Sequence, residues 1–105
     1  MTYRVVITPE AEADLRAAYR YLRRHAPQAA RDWIRRARRS IQTLERNPGR
    51  CPPAPESESF DQPIRELFFG SGNRGTYRFL FVVQENTVYV LHVRHGSMLP
   101  LSRDE

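Results

Sequence analysis

Four residues near the end of the chain, Arg78, His92, Arg94 and His95, with Tyr77 beside them, have the types and spacing that could do chemistry. Arginines hold phosphates and stabilise developing negative charge, while a histidine exchanges protons near neutrality. Together they would suit attack of a 2′-hydroxyl in RNA cleavage. The same residues could meet a macromolecular target without reacting, or make structural hydrogen bonds at the strand ends. Metal chemistry is not expected. His92 and His95 are spaced so that a strand sends them to opposite faces. The chain also has no Cys-x-x-Cys, no His-Glu-x-x-His and no acidic cluster on the later strands to complete a zinc or two-metal site. Paired-carboxylate catalysis lacks support too, because Glu66 and Glu85 fall on different strand regions. No Walker motif is present, and the glycines of Gly70–Gly75 lie between two strands, where a dinucleotide fingerprint needs a following helix. No cofactor is expected.

The elements that position these residues are two strands within Thr76–Gly96. A three-residue turn, Gln84-Glu85-Asn86, pairs Val83 with Thr87 and makes each face chemically consistent. Tyr77, Phe79 and Phe81 then oppose Val93, Leu91 and Tyr89 on a face suited to packing under helices. On the other face Val82, Leu80 and Arg78 oppose Val88, Val90 and His92, with Arg94 next along. A two-residue turn at Glu85-Asn86 ranks lower, because it sets Phe79 against His92 and mixes polar with apolar groups on both faces.

Upstream, Tyr3–Ile7 reads as a strand, and Thr8-Pro9 as the cap and first position of a helix. Ala11, Leu15, Ala18, Tyr19 and Leu22 recur at helical spacing, with acids early and Arg23, Arg24 and His25 late, as the helix dipole favours. Pro27 opens a second helix with the apolar stripe Ala30, Trp33, Ile34, Ala37, Ile41 and Leu44, ended by Asn47-Pro48-Gly49. Its other face holds Arg31, Arg35, Arg38, Arg39 and Arg46, a pattern that could bind phosphates but more often is a solvated face. Pro48–Pro63 is too polar and too broken by proline for regular structure. A last strand is expected at Ile64–Phe69. The order gives an α+β fold, β-α-α-β-β-β, with a helical hairpin on one face of a mainly antiparallel sheet.

At 105 residues the chain fits one domain, 1–105, with one modest core. Its hydrophobic content of 40% is that of a folded protein, and every one of the 17 basic residues is arginine. A net charge of +5 and a pI near 10.1 favour acidic partners. The single cysteine, Cys51, excludes a disulfide framework within the chain and fits a reducing cytoplasm. Phe79–Val83 is far shorter than the roughly 20 apolar residues of a membrane helix, and the start of the chain has no apolar leader core. A cytoplasmic protein without membrane association is expected.

Several segments in order resemble the RelE/ParE superfamily of type II toxins. They are the opening strand ending in Thr8-Pro9 with Ala11 and Leu15 following, Leu44–Pro48, Ile64–Leu67, Tyr77–Phe81 and Val93–Gly96. The resemblance implies the same fold, and it implies one of two activities: messenger RNA cleavage on the ribosome in RelE-like members, or inhibition of DNA gyrase by binding in ParE-like members. Arg78 matches an arginine that RelE-like sites carry on the third strand. The residues after Gly96 lack most of the nuclease set, and Arg94-His95-Gly96 is more similar to the ParE branch. The expectation is therefore a non-catalytic, ParE-like gyrase inhibitor whose target-binding residues are Arg78, His92, Arg94 and His95. A cognate ParD-like antitoxin would neutralise it with an acidic segment docking on Arg31, Arg35 and Arg38. The alternatives are a RelE-like ribosome-dependent nuclease, with those same four residues as its catalytic set, and a family member without toxicity.

Overall fold

Thr8 starts the first helix by satisfying one of its orphan donors. Its backbone is extended and its Oγ1 accepts the Ala11 N–H at 3.3 Å, while Pro9 fills a position that needs no donor. The structure, a computed structural model, describes residues 2–70 and 76–97. Within these, β1 (Arg4–Ile7) leads into α1 (Pro9–His25) and α2 (Pro27–Gln42), followed by β2 (Arg65–Phe69), β3 (Tyr77–Gln84) and β4 (Thr87–His95). The strands form one mixed sheet in the order β1-β4-β3-β2, with β1 parallel to β4 and the other pairs antiparallel. The expected fold is the observed one. Most of the glycine-containing loop before Tyr77 and the segment after Ser97 lie outside the described residues.

Both helices bury the stripes that the spacing marks. Ala11 and Leu15 of α1, and Ala30, Trp33, Ala37 and Ile41 of α2, are buried. With one exception, Ala30, these pack with Phe79, Phe81, Val88 and Val90 into the main core. Trp33 meets Tyr77 edge-on at 5.0 Å between ring centroids, and Phe69 stacks on Phe79 at 5.4 Å, so an aromatic row ties α2 to β2 and β3. Burying each such ring or branched side chain is worth about 1.5–3 kcal/mol. α2 stops sooner than its apolar stripe suggests: Thr43–Glu45 tightens to a 3-10 turn, and Asn47 at φ 47° reverses the chain.

The β3–β4 register corrects the sequence expectation. The turn has two residues, not three, since Gln84 pairs with Thr87. Glu85 takes φ 55°, a left-handed conformation that two-residue hairpins use and that the Glu identity does not advertise. Tyr89 and Leu91 therefore leave the main core, and Val88 and Val90 enter it. The mixing of faces that made this turn look poor is removed by a bulge: the register shifts between Leu80 and Phe81, so that Leu80 pairs with His92 and Phe81 with Val90. Leu91 is the extra residue, and beyond it Phe79 again faces Val93.

The Pro48–Pro63 connector also holds more structure than its composition suggests. It forms 3-10 turns at Pro48–Arg50 and Pro55–Glu58, and the Ala54 N–H donates to Ile64 O at 2.8 Å. Ser57 Oγ donates to the Ile64 carbonyl and accepts its N–H, each at 2.7 Å. The connector so covers the sheet face away from the helices, burying Ala54 with Ile64, Leu80 and Val82 in a second, smaller core. Because Glu85 carries a side chain at positive φ, Glu85→Gly is expected to keep the fold and stabilise it by up to about 1 kcal/mol. A urea titration would register this as a higher midpoint at unchanged slope; a lower midpoint would mean that the Glu85 side chain itself holds the turn.

Candidate functional site

β1 ends opposite Val90, so the outer edge of β4 beyond that point needs other hydrogen-bond partners. α1 supplies them. The Thr8 N–H and Oγ1 donate to Val90 O at 3.1 and 2.7 Å, and Oγ1 also reaches Leu91 O at 3.3 Å, so the carbonyls at the bulge are met by the helix cap. One turn and a half further along α1, Asp14 Oδ2 accepts the Val93 N–H at 2.9 Å and lies 3.2 Å from His92 Nδ1. His92, with its side chain 39% exposed, thus points to the face away from the helices, tethered by an acid from α1. It edges a cleft of about 340 Å³ floored by Ile64, Leu80 and Leu91, with Phe60 and Glu10 on the rim.

Arg78 lies on the same face but not at its surface. It is 6% exposed, and its Nη1 and Nη2 donate to Glu56 Oε1 and Oε2 at 3.0 and 2.8 Å, a bidentate pair. Nη1 also donates to Glu66 Oε1 at 2.9 Å. Glu56 and Glu66 are themselves 1% and 7% exposed. The bonds from Glu56, then Glu66, hold the Arg78 guanidinium above its ordinary pKa in spite of burial. Arg78, expected to meet a target, here has its charge met by two carboxylates buried around it. Sequence reading missed both. Glu66 comes from the neighbouring strand and Glu56 from the connector, where an acid among prolines and serines reads as solvated.

Among the expected residues, Arg94 pairs with Arg78 across the sheet and His92 with Leu80, so these three share a face. His95 does not join them. It pairs with Tyr77 on the helix side, the two rings meeting edge-on at 5.1 Å. Its Nδ1 receives the Ser97 N–H at 3.1 Å and lies 2.7 Å from Ser97 Oγ, which fits a ring protonated on Nε2. Burial pushes the Tyr77 phenol up, with a smaller contribution from Tyr21. Gly96 closes the motif for a steric reason: a Cβ there would stand 2.9 Å from the Thr76 carbonyl oxygen, which accepts the Gly96 N–H. Burial likewise raises the Cys51 thiol, which keeps it in its unreactive form. Among the described residues no group of three His, Cys, Asp or Glu side chains is placed to hold a metal, and no helix is long and apolar enough to cross a membrane.

The arginines expected to meet an acidic partner sit on the helical hairpin. Arg31, Arg35 and Arg38, with Arg16, rim a groove of about 390 Å³ whose floor is Tyr19 and Ile34. Arg38 crosses it to Glu12, Nη1 and Nη2 donating to the two carboxylate oxygens at 3.0 and 2.7 Å, and Arg16 Nε reaches the same carboxylate at 3.3 Å. The hydrogen bonds from Arg38 are the main cause of a Glu12 pKa below its ordinary value.

The family described as "ParE toxin of type II toxin-antitoxin system, parDE" matches residues 5–100. The chain belongs to the ParE toxin family. No curated protein sequence matches it. Among solved structures, a chain of the chromosomal ParDE system from P. aeruginosa shares the fold with a TM-score of 0.70 at 17% identity, covering 90% of this chain and 96% of that one. A chain of the RelBE2 toxin-antitoxin complex from Mycobacterium tuberculosis has a TM-score of 0.50 at 24% identity, covering 90% and 99%. The ParE fold thus accommodates two polar clusters in this chain, one buried behind the sheet and one open on the helices.

Each cluster has a measurable signature in this ParE-family chain. Arg78→Met leaves two buried carboxylates without their cation and is expected to destabilise the fold by about 3–5 kcal/mol. Combining it with Glu56→Gln and Glu66→Gln should recover a large part of that loss in denaturant titrations; an additive, larger loss would show that the three side chains do not act together. Glu12 is the depressed-carboxylate case. Its pairing contributes stability that is fully present above the ordinary value of 4.5 and is lost as pH falls through the lower folded-state value. The pair is partly exposed, so the contribution is only about 0.5 kcal/mol. Glu12→Gln should lower stability near neutrality by about that amount and leave it almost unchanged in acid below the folded-state value, which removes that slice of acid sensitivity from unfolding curves.

Proposed function

We propose that this ParE-family chain is the toxin of a type II toxin-antitoxin pair, acting by binding DNA gyrase and not by cutting RNA. The observation that carries this reading is the state of Arg78. A nuclease needs a cation free to meet the scissile phosphate and the charge that develops on it. In this chain the arginine matching that role is buried and neutralised by Glu56 and Glu66. His92 shares the face of Arg78 but is held by Asp14 from α1, and His95 is turned to the opposite face. What the face offers a target is partly exposed His92 at the edge of a largely apolar cleft, a surface for recognition.

The antitoxin partner is read onto the helical hairpin. The groove between α1 and α2 combines an apolar floor, Tyr19 and Ile34, with rims of Arg16, Arg31, Arg35 and Arg38, which suits an amphipathic acidic segment that orders on binding. Its acidic side chains would compete with Glu12 for Arg38. A cognate ParD-like protein and a cytoplasmic setting complete the proposal. The test is a gyrase supercoiling assay with the purified chain, alone and with the protein encoded beside it, run alongside translation-dependent cleavage of a messenger RNA. Loss of supercoiling with intact RNA, relieved by the neighbour, is expected. Ribosome-dependent cleavage with normal gyrase would overturn the reading and make His92, Arg94 and His95 catalytic candidates, and inertness in both would indicate a member without toxicity.

A further inference from the structure

The charge of this protein is not spread over it. Nine of the 17 arginines and four of the 12 acids fall within Pro9–Gln42, so the helical hairpin carries the whole net +5 and the remainder of the chain is neutral. The arginines of α2 line two surfaces, with Arg35 at the edge of both. One is the groove toward α1 already described. The other faces away from α1 and from the sheet and holds Arg35, Arg36 and Arg39, all exposed, around a shallow depression of about 480 Å³ that also touches Ala29 and Asp32. Arg50 prolongs this strip past the helix end, its Nη2 donating to Thr43 Oγ1 at 3.1 Å and its Nη1 to Arg46 O at 2.7 Å. Among the described residues the only carboxylate within ion-pair reach of the strip is Asp32, 3.6 Å from Arg35. Arg36 Nε turns back to the Asp32 carbonyl at 3.4 Å, which orients that guanidinium along the helix.

From this placement we propose that the outward face of α2 is a binding surface for the sugar-phosphate backbone of duplex DNA, independent of sequence. The two surfaces differ in what they can hold. A peptide gains affinity by burying apolar side chains, and the outward strip has no apolar floor for them beyond Ala29; a phosphate backbone needs only fixed cations, and arginine supplies two parallel donors to each phosphate. Single strands bind on aromatic platforms, and among the described residues the strip has none. A regular helix of about 10–12 Å diameter matches the major groove of B-form DNA, about 12 Å wide, while the major groove of A-form RNA is too narrow to admit it. The proposal stands apart from the gyrase reading, because it concerns the chain alone with nucleic acid.

The test is fluorescence anisotropy of labelled duplex DNA of arbitrary sequence, titrated with the purified chain over a range of salt concentrations. Unlabelled single-stranded DNA, duplex RNA and a polyglutamate peptide serve as competitors. Expected is binding whose logarithm falls linearly with that of salt, with a slope of roughly −3 to −4 for about four neutralised phosphates. Arg36→Gln with Arg39→Gln should weaken it by about tenfold at low salt and flatten the slope by about two. Asp32→Asn should tighten it by about two- to fivefold, a gain that misfolding cannot imitate. Arg31→Gln, in the inner groove, should change DNA affinity least. An unchanged slope in the double variant, or competition by single strands, duplex RNA or polyglutamate as effective as that by duplex DNA, would overturn the assignment.

Discussion

One extra residue in β4 decides which side chains of this protein meet the helices and which meet the outside. Along a regular strand Val88, Val90, His92 and Arg94 would share a face, and a hydrophobic layer under α1 and α2 would contain an imidazole and a guanidinium. The bulge at Leu91 inverts the alternation in mid-strand. Val88 and Val90 stay inside, Val93 continues their layer, and the imidazole and the guanidinium go to the far face. The bulge holds because the same short stretch of α1 that starts the helix also meets the unpaired edge groups, through Thr8 and Asp14. Helix cap, strand edge and residue facing are therefore one constraint.

That constraint explains what could be read from the sequence. The helix starts at Pro9 and Pro27, the buried stripes and the element order follow from local signals, namely capping residues, proline positions and apolar periodicity, and each was legible. The register of β3 with β4 was not. A strict period of two cannot show a bulge that carries no glycine, and a Glu at positive φ gives no warning of a tight turn. The expectation chose a longer turn to keep the faces clean, whereas the molecule keeps them clean by inserting Leu91.

The candidate site was legible in kind and not in detail. Arg78, His92 and Arg94 do share a face, but the fate of Arg78 is set by Glu56 and Glu66, 22 and 12 residues away in sequence. No local pattern records such a meeting. Glu56 in particular looks like loop surface, and only the folding of the connector over the sheet buries it. The hairpin arginines were visible as a face, yet their division into a groove with an apolar floor and a strip without one depends on where α1 lies against α2.

The cluster of Arg78, Glu56 and Glu66 has a consequence for the history of such chains. Losing its cation strands two buried carboxylates, at a cost comparable to much of the 5–15 kcal/mol by which a domain of this size is stable. Losing an acid weakens the hold on a buried guanidinium. A lineage can then leave this arrangement only by passing through a nearly unfolded intermediate or by exchanging several positions almost together. Positions 56, 66 and 78 should therefore change in concert among relatives, with the connector and the third strand inherited as a unit even where the surrounding surface drifts freely.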